Sequence, residues 1–132
     1  MRDPRPGLGW SRRRAQTRTR YERWMASQAW RARRRAWLAA YVTRTGVQPR
    51  CAVCDRPWTL TDGELHHRSY RHLGAETDTD LVQLCVGCHQ LLHRILEGHP
   101  GWLRQAGRPH ATDVIIARLR AANACPRPEE QP

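Results

Sequence analysis

A small α+β fold stapled by zinc is what this chain predicts, and three observations carry that expectation. Two C-x-x-C pairs, Cys51/Cys54 and Cys85/Cys88, supply four thiolates, the ligand set of a tetrahedral structural zinc. Turn signals at Asp55 to Pro57 and at Asp62-Gly63 frame a short hairpin between two helical runs. With 132 residues, the chain buries too little surface to be generously stable without such a staple.

Taken in order, residues 1–26 read as a basic disordered arm, rich in Arg, Pro and Gly and without apolar periodicity. Residues 27–46 read as an Arg-rich helix with Ser27 as N-cap, ending before Thr45-Gly46. On its wheel Trp30, Trp37 and Tyr41 share a stripe that Arg34 interrupts, so the aromatics should pack onto the core. Residues 47–98 form the metal-binding core. The second strand of its hairpin should be Glu64 to Tyr70, followed by a polar loop from Arg71 to Thr79 and a return through Asp80 to Cys85. A helix from about Val86 to Glu97 should end at Gly98, with His89 and His93 on one face and Leu91 and Ile95 on the other. Residues 99–132 hold a short C-terminal helix from Asp113 to Ala122, capped by Thr112, and a frayed tail from Cys125.

Charge is distributed unevenly. All 23 basic residues are arginines; residues 1–50 carry +12 and residues 51–132 carry −1, for a net charge of +11. Such a positive block attracts polyanions, of which nucleic acids are the commonest long ones, with an anionic membrane surface the weaker alternative. Arg31, Arg33, Arg34 and Arg35 on the first helix, and Arg68 and Arg71 beside the histidine dyad, are the candidate phosphate contacts. No apolar run is long enough to span a bilayer, and Met1 to Trp10 lacks a secretory signal, so the expectation is a cytoplasmic, reducing setting and no membrane partner. Paired cysteines there read as zinc ligands rather than disulfides, with Cys125 a bystander.

Four histidines remain near the cysteines: the dyad His66/His67, and His89 and His93. A helix-borne pair plus one histidine from a facing strand makes a three-histidine metal site with positions open for phosphate and water, and the other histidine of the dyad is a candidate general base. Adjacent strand residues point to opposite faces, however, so the strand must end, twist or bulge if both are to address one phosphate. His72, His99 and His110 stand alone and should be solvated.

Residues 51 to 93, through C-x-x-C, LHHRSY, DLVQLC-x-x-CH and the final H in that order, resemble the zinc-containing branch of the HNH endonucleases. The resemblance implies a ββα-metal, treble-clef-like core. It also implies His67 as general base, His66 and His89 as ligands of a catalytic divalent metal (Mg2+, Mn2+, Ni2+ or Zn2+), and His93 as third ligand or phosphate contact. The position usually held by an asparagine that orients the base is here Asp80. A carboxylate could hold that histidine, raise its pKa or draw in a metal. The implied function is a DNA endonuclease or nickase that leaves 5′-phosphate and 3′-hydroxyl ends. The competing expectation is a catalytically inactive, zinc-stabilised nucleic-acid-binding module, which Asp80 keeps open; oligomeric state is left undetermined.

Overall fold

The computed structural model describes residues 19–125. The arm expected over residues 1–26 and the frayed end of the tail therefore lie largely outside the described residues. Residues 19–25, assigned to that arm, are instead helical (α1). They are docked: Trp24 Nε1 donates to Glu76 at 2.7 Å, and Arg20 donates to the Leu73 carbonyl at 3.3 Å.

Ser27 ends α1 and starts α2, Gln28–Thr45. Its Oγ donates to the Trp24 carbonyl at 2.6 Å and accepts from Trp30 N at 3.0 Å, which satisfies one of the open donors of the new helix. Gly46, at φ 74°, closes α2 in the left-handed region with its N–H on the Val42 carbonyl.

The histidine strand is shorter than expected and pairs elsewhere. β1 is Gly63–His67, not Glu64 to Tyr70, and its antiparallel partner is β2, Leu81–Cys85, in a two-stranded sheet running from Gly63 opposite Cys85 to His67 opposite Leu81. Among the described residues before β1, strand pairing is limited to an isolated bridge, Arg50 to Pro57. Pro49 and Pro57 lack the N–H that a ladder needs, so no strand propagates there. Between the strands the loop ends in a 3-10 turn, Asp78–Asp80, whose capping box joins Thr77 and Asp80.

The sheet has a different neighbour on each face. On one, Leu65 and Leu81 pack with Trp58 and with Trp30 and Trp37 of α2. On the other, Leu84 joins a cluster with Leu92 and Leu96 of α3, Val86–Gly98, and Ala111, Ile115 and Leu119 of α5, Arg108–Ala122, which also includes Cys85 where β2 gives way to α3. In α3 the deeper residues are Leu92 and Leu96, one turn apart beneath Cys88, while Leu91 and Ile95 are only partly buried. Gly63 is required at the start of β1, because a Cβ there would lie 2.2 Å from Nε1 of the Trp58 indole.

The C-terminal region is more helical than expected. A seven-residue helix, α4 (Pro100–Ala106), precedes α5, and α5 begins five residues before the expected start at Asp113. Pro100 and Pro109 occupy first-turn positions, where a missing N–H costs nothing. Thr112 is consequently buried inside α5 rather than capping it. No helix among the described residues is long and apolar enough to cross a membrane.

Candidate metal centres

The four-cysteine site is assembled from two local structures. The first pair sits on a turn closed by Asp55 N on the Cys51 carbonyl (3.0 Å) and Cys51 N on the Arg56 carbonyl (2.8 Å), and tied to β2 by Ala52 N on the Gln83 carbonyl (3.0 Å). The second pair starts α3: Cys85 is its N-cap, and its Sγ accepts from Cys88 N. The four sulfurs lie within 4.8 Å of one another, with Cys54 and Cys85 at 3.8 Å. Zinc–sulfur bonds of about 2.3 Å in a tetrahedron require sulfurs about 3.8 Å apart, so the donor set fits zinc in number, chemistry and spacing. Burial pushes the Cys85 and Cys88 thiols up, which disfavours bare thiolates; a divalent ion reverses that balance.

Cys125 does not lie in a frayed tail. It is 8% exposed, and its Sγ lies 3.7 Å from that of Cys85. It follows the left-handed turn at Asn123 that ends α5, which directs the chain back onto the cysteine cluster.

A second cluster consists of His66, His89 and His93, whose ligand nitrogens also lie within 4.8 Å of one another. The last two are one turn apart on α3 with Nε2 atoms 2.9 Å apart. His66 projects from the opposing strand, its ring centroid 5.4 Å and 5.2 Å from theirs. It is fully buried, with Nε2 at 3.1 Å from Thr112 Oγ1 and a buried Nδ1 that has no partner among the described residues. A proton on Nε2, given to Thr112, leaves the Nδ1 lone pair for an ion, the arrangement by which outer residues orient ligating histidines. Burial, then neighbouring positive charge, pulls the His66 pKa down to about 2. His89 is pulled down to about 4, and His93 is also lowered. Three neutral imidazoles converging on one point can hold a divalent ion.

His67 faces the other side of the sheet, as strand alternation demands. Its Nε2 lies 2.6 Å from the Glu76 carboxylate, and its ring stacks between Trp30 (5.1 Å) and Tyr70 (5.5 Å), with Tyr21 of α1 edge-on at 5.9 Å. The side chain is 2% exposed. The carboxylate paired with it is thus Glu76, from the polar loop, and not Asp80. Asp80 accepts from Thr77 N (2.9 Å) and pairs with His72 Nδ1 (2.9 Å), so His72 is not isolated either.

The candidate phosphate-contacting arginines fall into two groups. Arg33 binds the Glu76 carbonyl and Asp78, Arg34 donates to the Leu60 and Gly63 carbonyls, and Arg68 makes a two-pronged contact with Asp113. Arg31, Arg35 and Arg71 are exposed. Arg34 thus belongs on the aromatic stripe because its charge ends on two carbonyls beside Trp58.

Glu76, Thr112, Arg108 and Cys125 escape a reading of the sequence alone. The first lies in an aperiodic run, the second resembles a helix cap, the third sits next to a proline and the fourth is beside a Pro-rich tail. Comparison with protein-family models, with curated proteins and with solved structures finds no match to this chain.

Proposed function

We propose that this chain is a metal-dependent DNA endonuclease or nickase of the ββα-metal, HNH type. The observation that carries this reading is the convergence of strand-borne His66 with helix-borne His89 and His93, on a helix that begins at a second, four-cysteine site. His66, His89 and His93 would hold the catalytic divalent ion, and the four cysteines a structural zinc. An ion held by those three histidines would supply positive charge to offset that on the phosphoryl oxygens and on the departing 3′ oxygen.

His67 is the general base in this reading. The Glu76 carboxylate can only accept, so the proton of the neutral ring resides on Nε2 and the basic nitrogen is Nδ1. It takes a proton from the attacking water; the new bond forms at phosphorus as the bond to the 3′ oxygen breaks, leaving a 5′-phosphate and a 3′-hydroxyl. Exposed Arg31, Arg35 and Arg71, with the basic N-terminal half, supply attraction to the nucleic-acid backbone.

One observation favours a second reading. His67 is enclosed by Trp30, Tyr70 and Glu76, as a residue of a zinc-stabilised nucleic-acid-binding module without catalysis would be. Nicking of supercoiled plasmid at low salt, with Mg2+, Mn2+, Ni2+ or Zn2+ added singly, separates the two. Metal-dependent nicking that is lost in His67→Ala with DNA binding retained supports the nuclease. Salt-sensitive binding with no cleavage under any metal supports the module.

A further inference from the structure

We infer that Arg108 is the oxyanion-binding residue of the three-histidine centre, placed there to take a non-bridging oxygen of a phosphate that reaches it. This rests on the reading of His66, His89 and His93 as metal ligands. Arg108 is the first residue of α5, and Thr112, one turn further along, is the residue bonded to His66. Arg108 itself donates from Nε to the His67 carbonyl at 2.8 Å, so one face of α5 grips two consecutive residues of β1. Its guanidinium lies 4.4 Å from the centre of the Tyr70 ring. These contacts fix the plane of the fork and leave Nη2 buried with no partner among the described residues.

That condition sets Arg108 apart from the other arginines whose side chains have partners. Arg33, Arg68 and Arg120 each end on a carboxylate, and Arg34 ends on two carbonyls. Arg108 forms no ion pair with a carboxylate among the described residues, and burial lowers its pKa. A half-buried cation with one buried, unpaired donor is costly unless a counter-charge arrives. The anchor of Arg108, the His67 carbonyl, lies one residue along β1 from His66 of the cluster. A metal there adds to the positive field, and a phosphate bridging the two relieves both; guanidinium suits it because two parallel N–H bonds match the oxygens. The ligand class is a phosphodiester or a terminal phosphate, with inorganic phosphate as its smallest probe.

The test uses full-length protein with zinc retained at the cysteines and cobalt(II) added to the histidine site, with the visible absorption of cobalt followed as inorganic phosphate is titrated. Arg108→Gln keeps a donor for the His67 carbonyl while removing the charge, and Arg108→Lys keeps the charge while removing the fork. Zinc content and circular dichroism check that each variant is folded. We expect cobalt to bind all three proteins, at least as tightly in Arg108→Gln as in wild type because a positive charge is removed, with phosphate binding weakened roughly tenfold or more in Arg108→Gln, the loss of one charged hydrogen bond, and partly restored in Arg108→Lys. Phosphate titrations that coincide in wild type and Arg108→Gln, or no response to phosphate in wild type, overturn the role of Arg108 and leave the metal site standing. If cobalt fails to bind the histidines in wild type, the metal reading fails and the role of Arg108 with it.

Discussion

The His67 imidazole and the Glu76 carboxylate meet at 2.6 Å with neither side chain more than 2% exposed. Glu76 also accepts from Trp24 Nε1 (2.7 Å) and from Gly74 N (3.1 Å), so one buried carboxylate joins α1, the polar loop and β1. Removing it strands three donors. Glu76→Ala should therefore destabilise the protein by about 3 kcal/mol, read as a lowered urea midpoint, and should loosen α1. Glu76→Gln, whose amide oxygen still accepts, should cost less than half of that. Equal midpoints for Glu76→Ala and wild type would show that the contact contributes nothing to stability.

Zinc removal should unfold the α3 side of the molecule. Cys51, Cys85 and Cys88 are themselves core residues, packed with Val53, Leu84, Leu92 and Ile115, so losing the ion places unpaired buried thiols where the core was. Cys88→Ser should reduce zinc from one equivalent per chain to none and abolish cooperative thermal unfolding. Cys125→Ala should retain the zinc, because the other four sulfurs already form a complete set. Elemental analysis of the purified variants distinguishes these outcomes, and a Cys125→Ala protein devoid of zinc would make Cys125 a ligand.

The local patterns were readable because local physics produces them. Ser27 caps α2 with its hydroxyl and Gly46, having no Cβ, ends it in the left-handed region, and the four-residue spacing of His89 and His93 puts both on one face of α3. The pairing of β1 was not readable: the turn residues at 55–57 suggest a hairpin, yet Pro57 cannot continue a ladder and the partner strand comes 14 residues after His67. The same limit hid Glu76. Nothing in the run from Arg71 to Thr79 marks one acid as buried, since its burial follows from where Trp24 and His67 meet in space. Strand alternation required the strand to end, twist or bulge if His66 and His67 were to address one phosphate; β1 ends at His67, and each histidine has its own partner, Thr112 and Glu76.

Thr112 should tune metal affinity without touching a metal. Its Oγ1 lies 3.1 Å from His66 Nε2 and is fully buried, placed to accept that nitrogen's proton. Thr112→Val keeps the shape and removes the acceptor, so His66 loses its fixed tautomer. Nickel or cobalt affinity at the histidine site should fall roughly ten- to a hundredfold, measured by calorimetry, with zinc content unchanged. His66→Ala should abolish that binding. An unaltered affinity in Thr112→Val would mean that the hydroxyl does not orient His66.

The arginines of α2 should divide by environment rather than by sequence neighbourhood. Arg31 and Arg35 are exposed, so replacing both with Glu should leave stability within about 0.5 kcal/mol. The same change should flatten the dependence of log K on log salt for duplex binding by about 2. Arg34→Ala should instead destabilise, because it leaves the Leu60 and Gly63 carbonyls without their donor. Fluorescence anisotropy across a salt series and urea denaturation read the two effects separately. Loss of stability in the Arg31/Arg35 variant would show that those side chains also serve the fold.

Acid should destabilise the protein that lacks a metal at the histidines. Burial holds the pKa of His66 down to about 2 and that of His89 to about 4 in the folded chain, against about 6.5 when unfolded. Below pH 6.5 the unfolded chain therefore binds more protons than the folded one. Stability contributed by these groups is complete above that pH and declines as the pH falls toward the folded values. For His66, which is fully buried, the loss between pH 7 and pH 5 is on the order of 2 kcal/mol. Urea midpoints at pH 7, 6 and 5 should fall more steeply in wild type than in His66→Leu, which has no proton to take up. Parallel slopes would place the acid sensitivity in other groups, the zinc thiolates first among them. Nickel bound to the histidines should flatten the wild-type slope over the same range, because a ligated nitrogen competes with the proton for one lone pair.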